Sequence, residues 1–204
     1  SKSLLKDWYN SFLLKGDVII FNSNFVRKSY KNNFNEKTKI FVIPRGIDIN
    51  YFYPSKIKLS DKFIFLPSRV SSWKGHDLLL KYFSLINKKY KNLFKIHLIS
   101  LNKSKDEKKI NKLIKELNLS KNVLITKPTL KINKLYHDSF LVVNLSIRPE
   151  GFGRTISEAL ASAKPIIAPN QGGTKEQLYN FDKKLLFNVN SYSSFLRAFE
   201  YAIK

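Results

Sequence analysis

The chain has 204 residues, 43% hydrophobic and 14% aromatic, enough to close a core and too apolar for a disordered segment. Its net charge of +22 comes from 31 lysines and 6 arginines against 15 acids. That balance admits three readings: a solvated lysine coat, attraction to anionic lipid heads, or nucleic-acid binding. Neither an aromatic-basic single-strand motif nor a duplex-reading element supports the third, so no nucleic acid is expected. The absence of cysteine excludes disulfides, thiolate metal sites and cysteine nucleophiles, and fits a reducing compartment. No apolar run reaches the ~20 residues of a spanning helix, and the opening residues lack the regions of a signal peptide. A cytoplasmic chain is expected, with a peripheral seat on the inner face of the cytoplasmic membrane as the alternative. The absence of methionine suggests that the chain starts inside a longer gene product.

Short β-branched or aromatic runs alternate with longer segments of helical period, the pattern of βαβ units. In chain order, a helix is expected over 3–14, a strand over 17–21, a helix over 23–33 and a strand over 39–43. Residues 44–61, with Pro44, Gly46 and Pro54 and no period, read as an interdomain linker. Beyond it come strands over 62–66, 94–100, 122–126, 140–145, 164–169 and 185–187. The helices between and after them fall over 76–90, 105–118, 131–137, 154–162, 174–179 and 192–203. Residues 62–204 therefore read as a Rossmann-like α/β domain, an open parallel sheet with helices on both faces. Residues 1–43, with two strands, read as the end of a domain whose beginning lies upstream.

In such a sheet, ligands lie beyond the carboxyl ends of the strands, and three loops stand there. "LPSRVSSWKGHD", 66–77, sets Arg69 and Lys74 before a helix start, where two cations and free amides could meet an anion. The bland reading makes both solvent-facing cations. "RPEGFGRTISEALA", 148–161, brackets the Gly151-Phe152-Gly153 turn with Glu150 and Glu158, and Arg154-Thr155 opens a helix. A carboxylate accepts hydrogen bonds without donating, so two of them suit two polyols joined by a phosphate bridge. Alternatively Glu158 pairs with Arg154, four residues back, and Glu150 is a loop acid. "PNQGGTKEQL", 169–178, is either a second anion cradle or a capped turn. His97, inside a strand, reads as a packed core residue, and the three histidines have no metal-ligand spacing.

Taken together, these motifs resemble the C-terminal half of glycosyltransferase family 4, the group 1 glycosyl transferases of the two-domain GT-B fold. "IFVIPRGIDINYFYP" is similar to the family's strand and linker, "LPSRVSSWKGHDLLL" to its Arg and Lys-Gly loop, and "RPEGFGRTISEALASAKPIIA" to its Glu-x7-Glu element. "NQGGTKE" resembles its Gly-Gly-x-x-Glu. The resemblance implies a retaining transfer of a sugar from a UDP- or GDP-linked donor to an acceptor hydroxyl of an envelope glycan or glycolipid, such as lipopolysaccharide. It implies that Arg69 and Lys74 bind the leaving diphosphate without a metal or other cofactor. Glu150 would contact the transferred sugar, and Glu158 would grip the ribose diol. Amides around Gly151, Phe152, Gly153, Arg154 and Thr155 would cap sugar and phosphates.

Departures from the family pattern are Ser68 for the Gly before Arg69, where it tightens the loop against the donor, Arg45 for an Asn, and Ala163 for a Gly. The acceptor site and the catalytic histidine of the family belong to the upstream domain, so the chain alone is expected to bind donor without turnover. Two other classes stay open: a non-catalytic nucleotide-binding module and a basic nucleic-acid-binding protein.

Overall fold

The computed structural model describes residues 8, 11–12, 14–30, 34–35, 37–55, 62–101 and 104–204. Most of the helix expected over 3–14 and the end of the linker, 56–61, lie outside the described residues. The first unit is small: β1 (Val18–Phe21), α1 (Asn24–Ser29) and β2 (Lys39–Val42), with the two strands parallel. Ile19 and Phe21 are buried, and Phe21 packs on Tyr30 and Phe34, while Val18, Ile20 and Phe41 on the strands and Ile43 just after β2 are exposed.

The second unit holds β3 (Lys62–Arg69), α2 (His76–Lys89), β4 (Phe94–Ile99), α3 (Lys105–Glu116), β5 (Val123–Thr126) and α4 (Ile132–His137). It continues with β6 (Ser139–Val143), α5 (Arg154–Ala161), β7 (Ile166–Pro169), α6 (Gly172–Asp182), β8 (Leu186–Phe187) and α7 (Tyr192–Ala202). All pairings are parallel, in the order β5-β4-β3-β6-β7-β8. The chain winds outward from β3 to one edge, then returns to β6 and winds to the other, the doubly wound order of a Rossmann sheet. Central strands covered on both faces need continuous apolar runs, and Ile64-Phe65-Leu66, Leu141-Val142-Val143 and Ile166-Ile167-Ala168 supply them, all nearly or fully buried.

The strand ends at β3 and β6 need correction, and β7 begins at Ile166, two residues later than expected. β3 runs to Arg69, three residues past the expected end, because Pro67, without an N–H, breaks the ladder with β4 while the chain stays extended. β6 stops at Val143, because Asn144 turns the chain by accepting the Ser146 amide on its own side chain. The linker segment is also more than a tether. Phe52 enters the core at 6% exposure, its ring edge-on to Tyr136 at 5.6 Å, and His137 contacts the Tyr53 carbonyl.

The first unit is fastened to the second by its α1 end. Glu176 of α6 accepts the amides of Asn24 and Phe25 and the Asn24 side chain, each at 2.9 Å. A carboxylate is favoured at a helix N-terminus by the free amides and the helix dipole. Glu176→Ala is expected to speed hydrogen exchange at Asn24 and Phe25 by roughly tenfold, with the Ile64–Leu66 amides unchanged. Exchange rates unaltered at Asn24 and Phe25 would contradict this fastening.

Candidate functional site

The order of the sheet reverses between β3 and β6, the point at which doubly wound folds receive ligands beyond the strand ends. Two contacts join the loops that leave these strands. The Ile147 amide donates to the Trp73 carbonyl at 2.8 Å. Gly75, at φ 71°, begins α2 against Leu145; a Cβ there would lie 2.1 Å from the Leu145 oxygen. Only glycine fits both the left-handed backbone and the approach.

This weld brings Lys74 to Glu150. Lys74 Nζ lies 2.8 Å from Glu150 Oε1 and 4.2 Å from the Trp73 ring centroid. The same oxygen accepts from Ser146 Oγ and, at 3.1 Å, from Asn144 Nδ2, which also reaches Thr155 Oγ1 at 2.9 Å. Burial pushes the Glu150 carboxyl up, but the donors Lys74, Ser146 and Asn144 outweigh it and hold the group below its ordinary range. Arg69 is exposed at the end of β3, and the neighbouring Ser68 carbonyl faces His76 Nε2 at 3.3 Å.

The 150–153 loop is bonded from behind. Glu150 O accepts the Gly173 amide at 2.8 Å, Gly151 O accepts Ser23 Oγ, and the Phe152 and Gly153 carbonyls accept Gln177 Nε2. Gly173 allows this fit, since a Cβ there would meet the Phe152 Cα at 2.6 Å. With the carbonyls engaged, the amides of Gly151 through Thr155 have no acceptor among the described residues. In the third loop the Gly173 amide is committed to Glu150 O and the Thr174 hydroxyl is shared between Pro169 O and Gln171 O, while no side chain caps the start of the following helix. α6 consequently starts at Gly172, two residues earlier than expected.

Inside α5, Glu158 is 6% exposed, paired through Oε1 with Arg154 at 2.9 Å and through Oε2 with Tyr136 OH at 2.6 Å. The Arg154 partnership expected from the four-residue spacing is present. The fold thus gathers Lys74, Glu150, Gly151, Phe152, Gly153 and Thr155 through contacts on one side of the sheet end, with Arg69 at the neighbouring strand tip. Sequence reading missed Asn144, Ser146 and Tyr136. The polar pair ending the apolar run "FLVVNLS" was the signal for the first two, whereas Tyr136 looked like any core aromatic.

Residues 49–204 match the model of the glycosyl transferases group 1, and the chain belongs to that family. It is 28% identical over 181 residues to a probable sucrose-phosphate synthase of Thermosipho melanesiensis, covering 84% of this chain and 42% of that protein. A glycosyltransferase structure from Rickettsia africae superposes with a TM-score of 0.80 at 30% identity, over 99% of this chain and 57% of that one. HepE of Anabaena, solved with UDP and glucose, gives a TM-score of 0.80 at 22% identity, over 93% and 54%. The α/β fold is that of GT-B C-terminal domains. The chain spans about half the length of these relatives.

Two outcomes are expected. Lys74→Met costs about 2 kcal/mol of stability by stranding a mostly buried carboxylate, and adding Glu150→Gln recovers most of it; additive losses in urea unfolding would contradict the coupling. His76 is 1% exposed, and burial lowers its pKa from 6.5 to about 4. Between those values the unfolded chain takes a proton that the folded chain refuses. Its contribution is therefore full above pH 6.5 and eroded as pH falls toward 4. Lowering pH from 7 to 5 costs about 2 kcal/mol through this group, and His76→Gln should lose that share of the pH dependence.

Proposed function

We propose that this chain is the donor-binding half of a retaining family 4 glycosyltransferase that moves a sugar from a nucleoside-diphosphate sugar, UDP- or GDP-linked, to an acceptor hydroxyl. The observation that carries this reading is the row of amides from Gly151 to Thr155, backed by fully engaged carbonyls and set beside the Lys74–Glu150 pair. Unpaired amides at a helix start, with a cation next to them, suit an anion and hydroxyls. The binding of UDP and glucose by HepE, which shares the fold, is consistent with it.

In this reading Lys74, with three donors, keeps one on Glu150 and turns others to the diphosphate, joined by Arg69. Glu150, kept ionised, accepts from hydroxyls of the transferred sugar, and Glu158 from the ribose. The demanding step is rupture of the bond between the anomeric carbon and the phosphate oxygen. Fixed positive groups beside that oxygen stabilise the growing charge in the role a divalent metal plays elsewhere. No cofactor besides the donor substrate is invoked.

The acceptor, an envelope glycan or glycolipid, and the residues that activate it belong in this reading to an upstream domain. The exposed Val18, Ile20, Phe41 and Ile43 favour such a covering, since parallel strands are normally covered on both faces. The chain alone would bind donor without turnover. No helix among the described residues is long and apolar enough to cross a membrane; the +22 charge would favour a peripheral position at anionic lipid.

Saturation-transfer NMR with UDP, GDP and ADP tests the reading. One nucleotide should be saturated at base and ribose, and Glu158→Ala should weaken its binding by about 1.5–3 kcal/mol. Unchanged affinity would remove Glu158 from the site.

A further inference from the structure

Glu158 is held by two partners of unequal permanence. The Arg154 side chain is 65% exposed, so its pair with Oε1 is screened and readily exchanged. Tyr136 is 0% exposed, and its hydroxyl on Oε2 is shielded from water. Its ring is clamped edge-on by Phe65 of β3 at 5.3 Å and by Phe52 of the linker segment at 5.6 Å, at interplanar angles of 84° and 87°. A clamped ring aims its hydroxyl in one direction, whereas the last torsion of a glutamate is broad. Fixing one carboxylate oxygen therefore fixes where the other points. A carboxylate accepts roughly four hydrogen bonds, two on each oxygen; Tyr136 holds Oε2, so the two sites of Oε1 serve a vicinal diol once Arg154 gives way.

We propose that Tyr136 is a positioning residue of the nucleotide site, whose hydroxyl sets the Glu158 carboxylate so that the oxygen facing Arg154 is presented to the ribose diol. This deepens the reading of Glu158 as the ribose ligand and rests on it. Arg154 acts as an exchangeable partner that yields to the diol, while Tyr136 stays. The linker is connected to the site through the same ring, because Phe52 forms one wall of its clamp.

The test compares UDP with 2′,3′-dideoxy-UDP, which lacks the diol, on the unaltered chain, Tyr136→Phe and Glu158→Gln. Tyr136→Phe should weaken UDP roughly fivefold and leave the dideoxy compound unchanged. Equal weakening of both ligands, or of neither, would overturn the positioning role, since a merely structural ring does not distinguish them. Glu158→Gln separates the two levels. If it abolishes the preference for UDP while Tyr136→Phe leaves that preference undiminished, the inference alone fails; if it leaves the preference intact, or the unaltered chain binds no UDP, the reading of Glu158 fails and takes the inference with it. Should Tyr136→Phe not fold, the unaltered chain labelled at tyrosine Cζ gives the same answer. The buried tyrosine resonance is expected to move with UDP and stay still with the dideoxy compound, and identical movement with both would overturn the proposal.

Discussion

The contact between Lys74 and Glu150 is the interaction on which the site depends. A doubly wound sheet parts its loops where the strand order reverses, so the tips after β3 and β6 have no reason of topology to meet. They meet here because Gly75 lets one backbone touch the other at Leu145, and because Ile147 donates to Trp73. Once they are joined, a cation and an acid 76 positions apart in the chain become one charged unit. Glu150 is held ionised within that unit because three donors converge on one of its oxygens.

Behind that unit, the fold solves a backbone problem in a way that leaves one edge of a loop open. Every carbonyl from Glu150 to Gly153 finds a donor: Gly173, Ser23 or Gln177. Buried carbonyls require such partners, and the amides of Gly151 through Thr155 are left without an acceptor among the described residues. Ser23 belongs to the first unit, whose α1 is also capped by Glu176. The residues after β1 are thus part of the scaffold of the loop, and the position of the first unit is felt at the site.

Much of the architecture was legible because a buried parallel sheet writes itself as apolar runs of four to six residues separated by helical period. What was illegible has identifiable causes. Pro67 reads as a strand end but breaks only hydrogen bonding and leaves the chain extended, which concealed the last residues of β3. Glu150 and Glu158 stood out because acids are scarce in so basic a chain and because they bracket glycines. Asn144, Ser146 and Tyr136 act on those acids from positions that local pattern assigns to strand end and core. The role of Glu176 was beyond reach altogether, since its partner amides lie about 150 residues away and backbone groups carry no residue signature.

The account's central claim is that a nucleotide sugar binds where β3 and β6 diverge, on the amides of the 151–155 loop and beside Lys74. Titration of the isotopically labelled chain with UDP, read as amide chemical-shift changes, tests it most directly. The account predicts the largest changes at Gly75, His76 and Gly151 through Thr155, with little change at Asn24 or Phe25. Changes concentrated on the first unit, or spread over surface lysines without focus on these loops, would contradict it.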